Sequence, residues 1–146
     1  MREILFRGKR EDTGEWVYGY YAHLPSAAGA ADIIYVPASD PDDSNHTVFV
    51  DPETLGQYTG LTDKNGVKIF EGDIVHLYGD KDTSTRFINY KALVIFAHGG
   101  FCAIDGTLDD YAVCRFDFTS SLNCEVIGNI YDNPELIEDG DSNEEP

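Results

Sequence analysis

The chain has 146 residues, 27 of them acidic and 10 basic, for a formal net charge of −17. That length bounds it to one domain, or one domain with a small appendage, and a hydrophobic content of 42% suffices for a packed core. The charge disfavours direct binding to nucleic acid through phosphate neutralisation, no apolar run approaches a membrane span, and the N-terminus carries no secretory leader pattern.

Nine Tyr and eight Phe against a single Trp favour pleated, half-buried surfaces over helices. Glu3–Arg7 is short, apolar and bounded by charge, as a first strand is. Asp12-Thr13-Gly14 is a turn signal, and the aromatic run Glu15–Tyr21 follows as a second strand, so an antiparallel hairpin is expected over residues 3–22. Gly19 within that strand predicts a bulge or a close backbone contact. Pro25–Ala31 reads as a flexible loop, Ile33–Val36 as a strand stopped by Pro37, and Ser39–Asn45 as an exposed acidic loop. Asp40, Asp42 and Asp43 lack the Gly and Glu offsets of a calcium-binding EF-hand.

Thr47–Val50 is strand-like, and Asp51-Pro52-Glu53-Thr54 is suited to one helical turn with Pro52 at its first position. Asn65-Gly66 is the pair that a type I′ hairpin turn requires. Glu71-Gly72-Asp73 is a second turn, feeding a strand over Ile74–Tyr78. In that turn the glycine aims the Asp73 carboxylate back at backbone amides. Gly79–Thr85 is a polar loop, and Lys91–Phe96 is apolar after its first residue, as a strand covered on both faces is. His98-Gly99-Gly100 reads as a turn, Phe101–Ile104 as a strand, and Tyr111–Phe118 as an alternating one. The last strand is Glu125–Tyr131, ended by Asn133-Pro134, with a single helical turn over Glu135–Ile137. From Glu138 the acidic tail has no apolar anchor and is expected to be disordered.

Short strands punctuated by turns, without long amphipathic helices, define an all-β fold. The strands from about Gly72 to Tyr131 are roughly as many as a small closed or rolled barrel uses.

A search for reactive constellations finds none. Cys102, Cys114 and Cys124 are odd in number and lack Cys-x-x-Cys spacing, which fits buried, reduced thiols in a cytosolic protein. His23, His46, His76 and His98 show no metal-ligand spacing. A nucleophile elbow, a Walker loop and a dinucleotide fingerprint are all missing. A Cys–His pair brought together by the fold is left undecided, because such partners are often distant in sequence. The expectation is a protein that is not an enzyme, with no catalytic, metal or cofactor residues.

Three separated segments resemble the YopX family of phage and prophage proteins. The first is Arg2-Glu3-Ile4-Leu5-Phe6-Arg7 with Trp16-Val17-Tyr18-Gly19. The second spans Val50–Val75, with Gly56-Gln57-Tyr58-Thr59-Gly60-Leu61, Asp63-Lys64-Asn65-Gly66 and Glu71-Gly72-Asp73-Ile74-Val75. The third is Val126–Leu136, with Gly128, Asn129 and Pro134. The resemblance implies an SH3-like β-barrel in the C-terminal half with a smaller N-terminal β portion, residence in a bacterial cell that carries a phage or prophage, and no established activity. The organisation expected on this basis is an N-terminal β portion over residues 1–50, a barrel over 51–137 and a tail over 138–146. The motif residues Gly56, Gln57, Tyr58, Gly60, Asn65, Gly66, Gly72, Asp73, Gly128, Asn129 and Pro134 suit a structural role, since glycines and turn formers specify a fold more readily than a reaction.

Two functions are carried forward. The first is a cytoplasmic, non-enzymatic binding or assembly protein whose partners are itself, as a homo-oligomer, and a host or phage protein. Trp16, Tyr18, Tyr20, Tyr21, Tyr58, Phe70 and Tyr78 are its candidate contact aromatics, about half of them facing the core. The second is an acidic decoy of nucleic acid acting on a host nucleic-acid-binding or defence protein, motivated by the net charge of −17. Arg2, Arg7, Lys9 and Arg10 form the one candidate basic patch, whose binding to DNA would collapse steeply with salt.

Overall fold

Alternating apolar residues and regularly spaced turns produce strands almost throughout, as the computed structural model shows. It describes residues 3–25, 29–37, 46–78, 89–97, 99–104, 114–115 and 123–138, with the backbone alone at 78, 89–90, 114–115 and 138. The expected loops over 39–45 and 79–85, most of the alternating stretch 111–118, the turn residue His98, Arg2 of the basic patch and nearly all of the acidic tail lie outside the described residues. The chain divides into two compact units, Met1–Tyr58 and Thr59–Pro146.

The first unit contains β1 (Phe6–Arg10), β2 (Trp16–Leu24), β3 (Ala31–Val36) and the greater part of β4 (His46–Thr62). The expected hairpin is present, with Phe6 opposite Gly19 and Lys9 opposite Trp16, although its first strand starts at Phe6 instead of Glu3. β2 pairs with β1 through Trp16–Gly19 and with β3 through Tyr20–Leu24. β4 pairs with β3 through His46–Phe49 and with β1 from Val50 to Gln57. The hydrogen-bonded pairings therefore run β1-β2-β3-β4 and return from β4 to β1. Each long strand divides its length between two neighbours, a consequence of strong twist in a small sheet. Inside lie Ile34, Val48 and Val50, with Phe6, Val17, Val36 and Leu55 against them. At Gly19 an added Cβ would collide with the carbonyl oxygen of Tyr35, which is the close backbone contact that the sequence predicts.

The helical turn expected at Asp51–Thr54 is absent, because β4 continues through it. Between the pairs Lys9–Asp51 and Arg7–Gly56 the register shifts, β1 advancing two residues while β4 advances five. Asp51 still accepts from the Glu53 N–H at 3.0 Å, as a helix cap does. The Thr54 hydroxyl, however, donates to the Asp51 carbonyl and accepts from the Lys9 N–H at 2.9 Å, so the bulge is tied into the sheet and no helix propagates. This pairing of β4 with β1 also carries the first unit to Tyr58, eight residues beyond the expected boundary at residue 50.

The second unit holds the end of β4, β5 (Lys68–Phe70), β6 (Asp73–Tyr78), β7 (Asn89–Ala97), β8 (Gly100–Ile104), β9 (Cys114–Arg115), β10 (Cys124–Asn129) and one short helix, α1 (Glu135–Glu138). Five strands form an antiparallel sheet in the order β10-β6-β7-β8-β9. Ile69, Val75, Ala92, Val94, Ala103 and Cys124 make its core. Of the apolar run in β7, Ala92 and Val94 are buried while Phe96 stays 55% exposed, so this strand is not covered on both faces along its length. The Phe96 ring instead meets the edge of Phe101, centroid to centroid 5.2 Å.

Candidate functional site

The motif residues near Asn65 and Gly72 are held together by two buried carboxylates. The turn after β4 is closed by Gly66 N–H donating to the Asp63 carbonyl at 3.0 Å and Asp63 N–H donating to Val67 at 2.8 Å. Lys64 and Asn65 are thus the central pair, and Gly66, with φ of +83°, follows them. This is a three-residue hairpin loop, which replaces the expected two-residue type I′ turn. Asp63 decides the difference. Its Oδ1 accepts from the N–H groups of Asn65 (2.8 Å) and Val67 (2.9 Å), and its Oδ2 accepts from Val126 (2.9 Å) in β10. Burial pushes the Asp63 carboxyl upward, but these three backbone donors outweigh it and leave it below the ordinary value of 3.8.

Asp73, 2% exposed, accepts from Phe70 N–H at 2.7 Å, the backbone amide role that its place after Gly72 suggests. Gly72, at φ of +94°, donates to Val94 and accepts from Ile130, and a Cβ there would lie 2.9 Å from Cε2 of Tyr131. At the other end of the motif, Asn129 Oδ1 accepts from Tyr131 N–H (3.0 Å) and Asp132 N–H (2.9 Å). Asn133 N–H returns to the Asn129 carbonyl at 2.8 Å, and Pro134 accepts at its carbonyl from Ile137 in α1. A Cβ on Gly128 would come within 2.6 Å of Asn133 Oδ1. Gly60 sits at φ of +89° in β4. In the first unit Gly56 and Gln57 face Arg7 and Phe6, and Tyr58 N–H donates to the Leu5 carbonyl. The side-chain oxygens of Asp63, Asp73, Asn129 and Asn133 thus all accept from backbone N–H groups, and Asn129 Nδ2 also donates to Asp132 Oδ2 at 3.1 Å.

A polar cluster built from side chains lies in the first unit. His23 and Asp32 are direct cross-strand partners in β2 and β3. Asp32 Oδ1 accepts from the Tyr21 hydroxyl at 2.6 Å and lies 2.9 Å from Nδ1 of His23. Sharing its proton with Asp32 raises the Tyr21 hydroxyl to about 12, and the hydrogen bonds from Tyr21 and His23 hold Asp32 below its ordinary value. Among the described residues no group of three or more His, Cys, Asp or Glu is arranged to hold a metal ion. Cys102 and Cys124 are buried thiols, neither of them in a disulfide.

The basic patch dissolves in the fold. Arg7 is 5% exposed, with its guanidinium 4.6 Å from the centroid of Trp16, and Lys9 Nζ is 5.4 Å from the same ring. Arg10 makes two 2.9 Å hydrogen bonds to Asp12, which draw that carboxyl down to about 2.

On the outward side of the first unit's sheet lie Tyr18 and Tyr20 of β2, Ile33 and Tyr35 of β3, and Phe49 of β4. The register pairs Tyr20 with Tyr35 and Ile33 with Phe49, while the alternate residues Ile34, Val48 and Val50 point into the core. Tyr20 (57%), Phe49 (61%) and Tyr35 (38%) remain exposed, with the two tyrosine rings stacked at 6.3 Å. Phe49 also walls a cleft of about 180 Å³ together with Arg10, Glu11, Asp12, Thr47 and Val48. Tyr35 and Phe49 lie outside the aromatics that composition singles out. An alternating pattern in the two short strands, Tyr35 after Ile33 and Phe49 after Thr47, was the available signal.

A family model described as YopX protein matches residues 5–138. The chain belongs to the YopX family. No curated protein matches it. Among solved structures it is similar to the crystal structure of protein EF1440 from Enterococcus faecalis, at 24% identity and a TM-score of 0.49, with 94% of this chain and 100% of that one covered. For this YopX-family chain, no helix among the described residues is long and apolar enough to cross a membrane.

Proposed function

We propose that this YopX-family protein is a phage- or prophage-encoded, non-enzymatic binding or assembly protein of the bacterial cytoplasm. An SH3-like barrel in its C-terminal half serves as scaffold, and the smaller N-terminal β portion supplies the contact surface. The observation that carries this reading is the outward aromatic face, above all the Tyr20–Tyr35 stack with Phe49 two positions along the neighbouring strands. Single exposed apolar residues are ordinary, but adjacent aromatics on three paired strands leave a contiguous apolar surface in water, and such surfaces recur at interfaces. Asp63 beside the motif turn and the motif residues Asp73 and Asn129 support the same reading, since their side-chain oxygens accept from backbone N–H groups and stabilise shape. An acidic decoy would present rows of carboxylates where this face presents rings.

The test is site-specific photo-cross-linking. A benzophenone side chain placed at Tyr20 or Tyr35 should capture a defined protein in host lysate, read by mass spectrometry. The same group at Val67, exposed but in the second unit, should not capture it. Identical captures from all three positions, or none from Tyr20 and Tyr35, would remove the reading.

A further inference from the structure

We infer that the outward face of the first unit receives an arginine- or lysine-bearing segment of a partner protein, whose cationic side chain seats in the cleft beside Phe49. The inference rests on the binding reading above and names the chemistry of the partner.

The aromatic surface points to a cation. The faces of aromatic rings carry negative potential and attract guanidinium and ammonium groups. This side of the sheet already uses that attraction internally, since Trp16 holds Arg7 and Lys9 over its ring. Trp16, Tyr18 and Tyr20 alternate along one side of β2, so the rings of Tyr20, Tyr35 and Phe49 continue the same surface.

The charge at the cleft points the same way. Of its lining groups, Arg10 is engaged by Asp12, and Glu11 is an exposed acidic residue that lines the cleft together with Phe49. Glu11 N–H donates to the Phe49 carbonyl at 3.0 Å, which fixes the two residues side by side. An aromatic wall next to a carboxylate suits a cation that requires both a π-face and a counter-charge. The volume of about 180 Å³ accommodates one side-chain head, not a folded element.

A second copy of the chain is the competing occupant, and charge opposes it. Each copy brings a formal −17, so pairing like faces costs repulsion that a basic partner converts into attraction.

Fluorescence anisotropy with three labelled peptides of equal length tests the inference: alternating Arg-Ser, all Ser, and alternating Glu-Ser. The full chain should bind the arginine peptide and neither of the others. Phe49→Ala and Glu11→Gln should each weaken that binding about fivefold, as the loss of one cation–π or ion-pair contact does. Val67→Ser should leave it unchanged. Phe49→Ala is decisive because it alters no charge, so general attraction to an acidic protein is insensitive to it. Circular dichroism confirms folding of each variant.

Equal binding of all three peptides, binding of none, or wild-type affinity in Phe49→Ala would overturn the inference. Self-cross-linking from Tyr20 would also overturn it, by naming a second copy as occupant, while leaving an assembly function standing. Failure of the cross-linking experiment itself would remove the parent reading first.

Discussion

The Asp63 carboxylate accepts a hydrogen bond at 2.9 Å from the backbone N–H of Val126, 63 residues further along the chain. The same side chain organises the turn before β5. One buried group thus sets a local loop and clamps it to β10.

Replacing Asp63 by Ala leaves three backbone donors without their acceptor, at a cost of about 3 kcal/mol. Amide hydrogen exchange is the sensitive measurement. Protection at Val126 and Val67 should fall together, and if only Val67 responded, the long-range clamp would be unimportant.

The acid dependence follows from the same carboxylate. Its native proton affinity is reduced, so the folded chain binds fewer protons than the unfolded one. The stabilisation is complete above the unfolded value of 3.8 and is lost as pH falls through the native one. Asp63→Asn should flatten the denaturation midpoint between about pH 5 and 2. His76 acts in the same direction from a higher starting point. Burial lowers it below 6.5, so charging it disfavours the fold as pH falls from there, and His76→Gln should remove that part of the slope.

At Gly72 two independent effects oppose any side chain: φ of +94° and the Tyr131 ring at 2.9 Å. Gly72→Ala should destabilise by about 2 kcal/mol or more, against about 1 kcal/mol for Gly99→Ala, where φ is +81° and the space is open. Adding Tyr131→Ala to Gly72→Ala relieves the clash but not the backbone strain. Partial recovery in urea denaturation is therefore expected, and full recovery would show that conformation matters little there.

Tyr21 donates to the Asp32 carboxylate, which keeps its hydroxyl protonated up to about 12. The native pKa exceeds the ordinary 10.0, so this contribution is complete below pH 10.0 and disappears as pH rises through 12. Tyr21→Phe should cost about 1 kcal/mol at neutral pH. It should also delete a step near pH 12 from the ultraviolet absorbance titration. An unchanged profile near pH 12 would show that Asp32 does not hold the proton.

Burial, helped by the nearby Asp63 charge, pushes the Cys124 thiol up to about 12. Thiolate is the reactive form, so iodoacetamide at pH 8 should leave Cys124 unmodified in the native chain and alkylate it in guanidinium, as peptide mapping would show. Rapid native alkylation would contradict the buried placement.

Much of the strand content was legible from the chain alone, because a period of two with turn residues between is a local signal. The Glu15–Tyr21 strand, the close contact at Gly19 and the backbone role of Asp73 were all readable from nearest neighbours. Asp51-Pro52-Glu53-Thr54 misled for the same reason. Its residues favour a helical start, but β1 lies alongside and the Thr54 hydroxyl joins the sheet. At Asn65-Gly66 a strong dipeptide preference yielded to a carboxylate two residues earlier, whose second oxygen is held by a strand that no local window contains.

Sequence by itself therefore determined the all-β class, the places of the turns at Asp12–Gly14, Asn65-Gly66 and Gly72, and the family, since alternation, glycine placement and motif spacing are properties of neighbouring residues. Only the tertiary structure decided the candidate site. It spent Arg7 on Trp16 and Arg10 on Asp12, and it brought Tyr20, Tyr35 and Phe49 onto one outward face. Which side of a strand meets water depends on cross-strand register, and register is set by pairings between residues far apart in the chain.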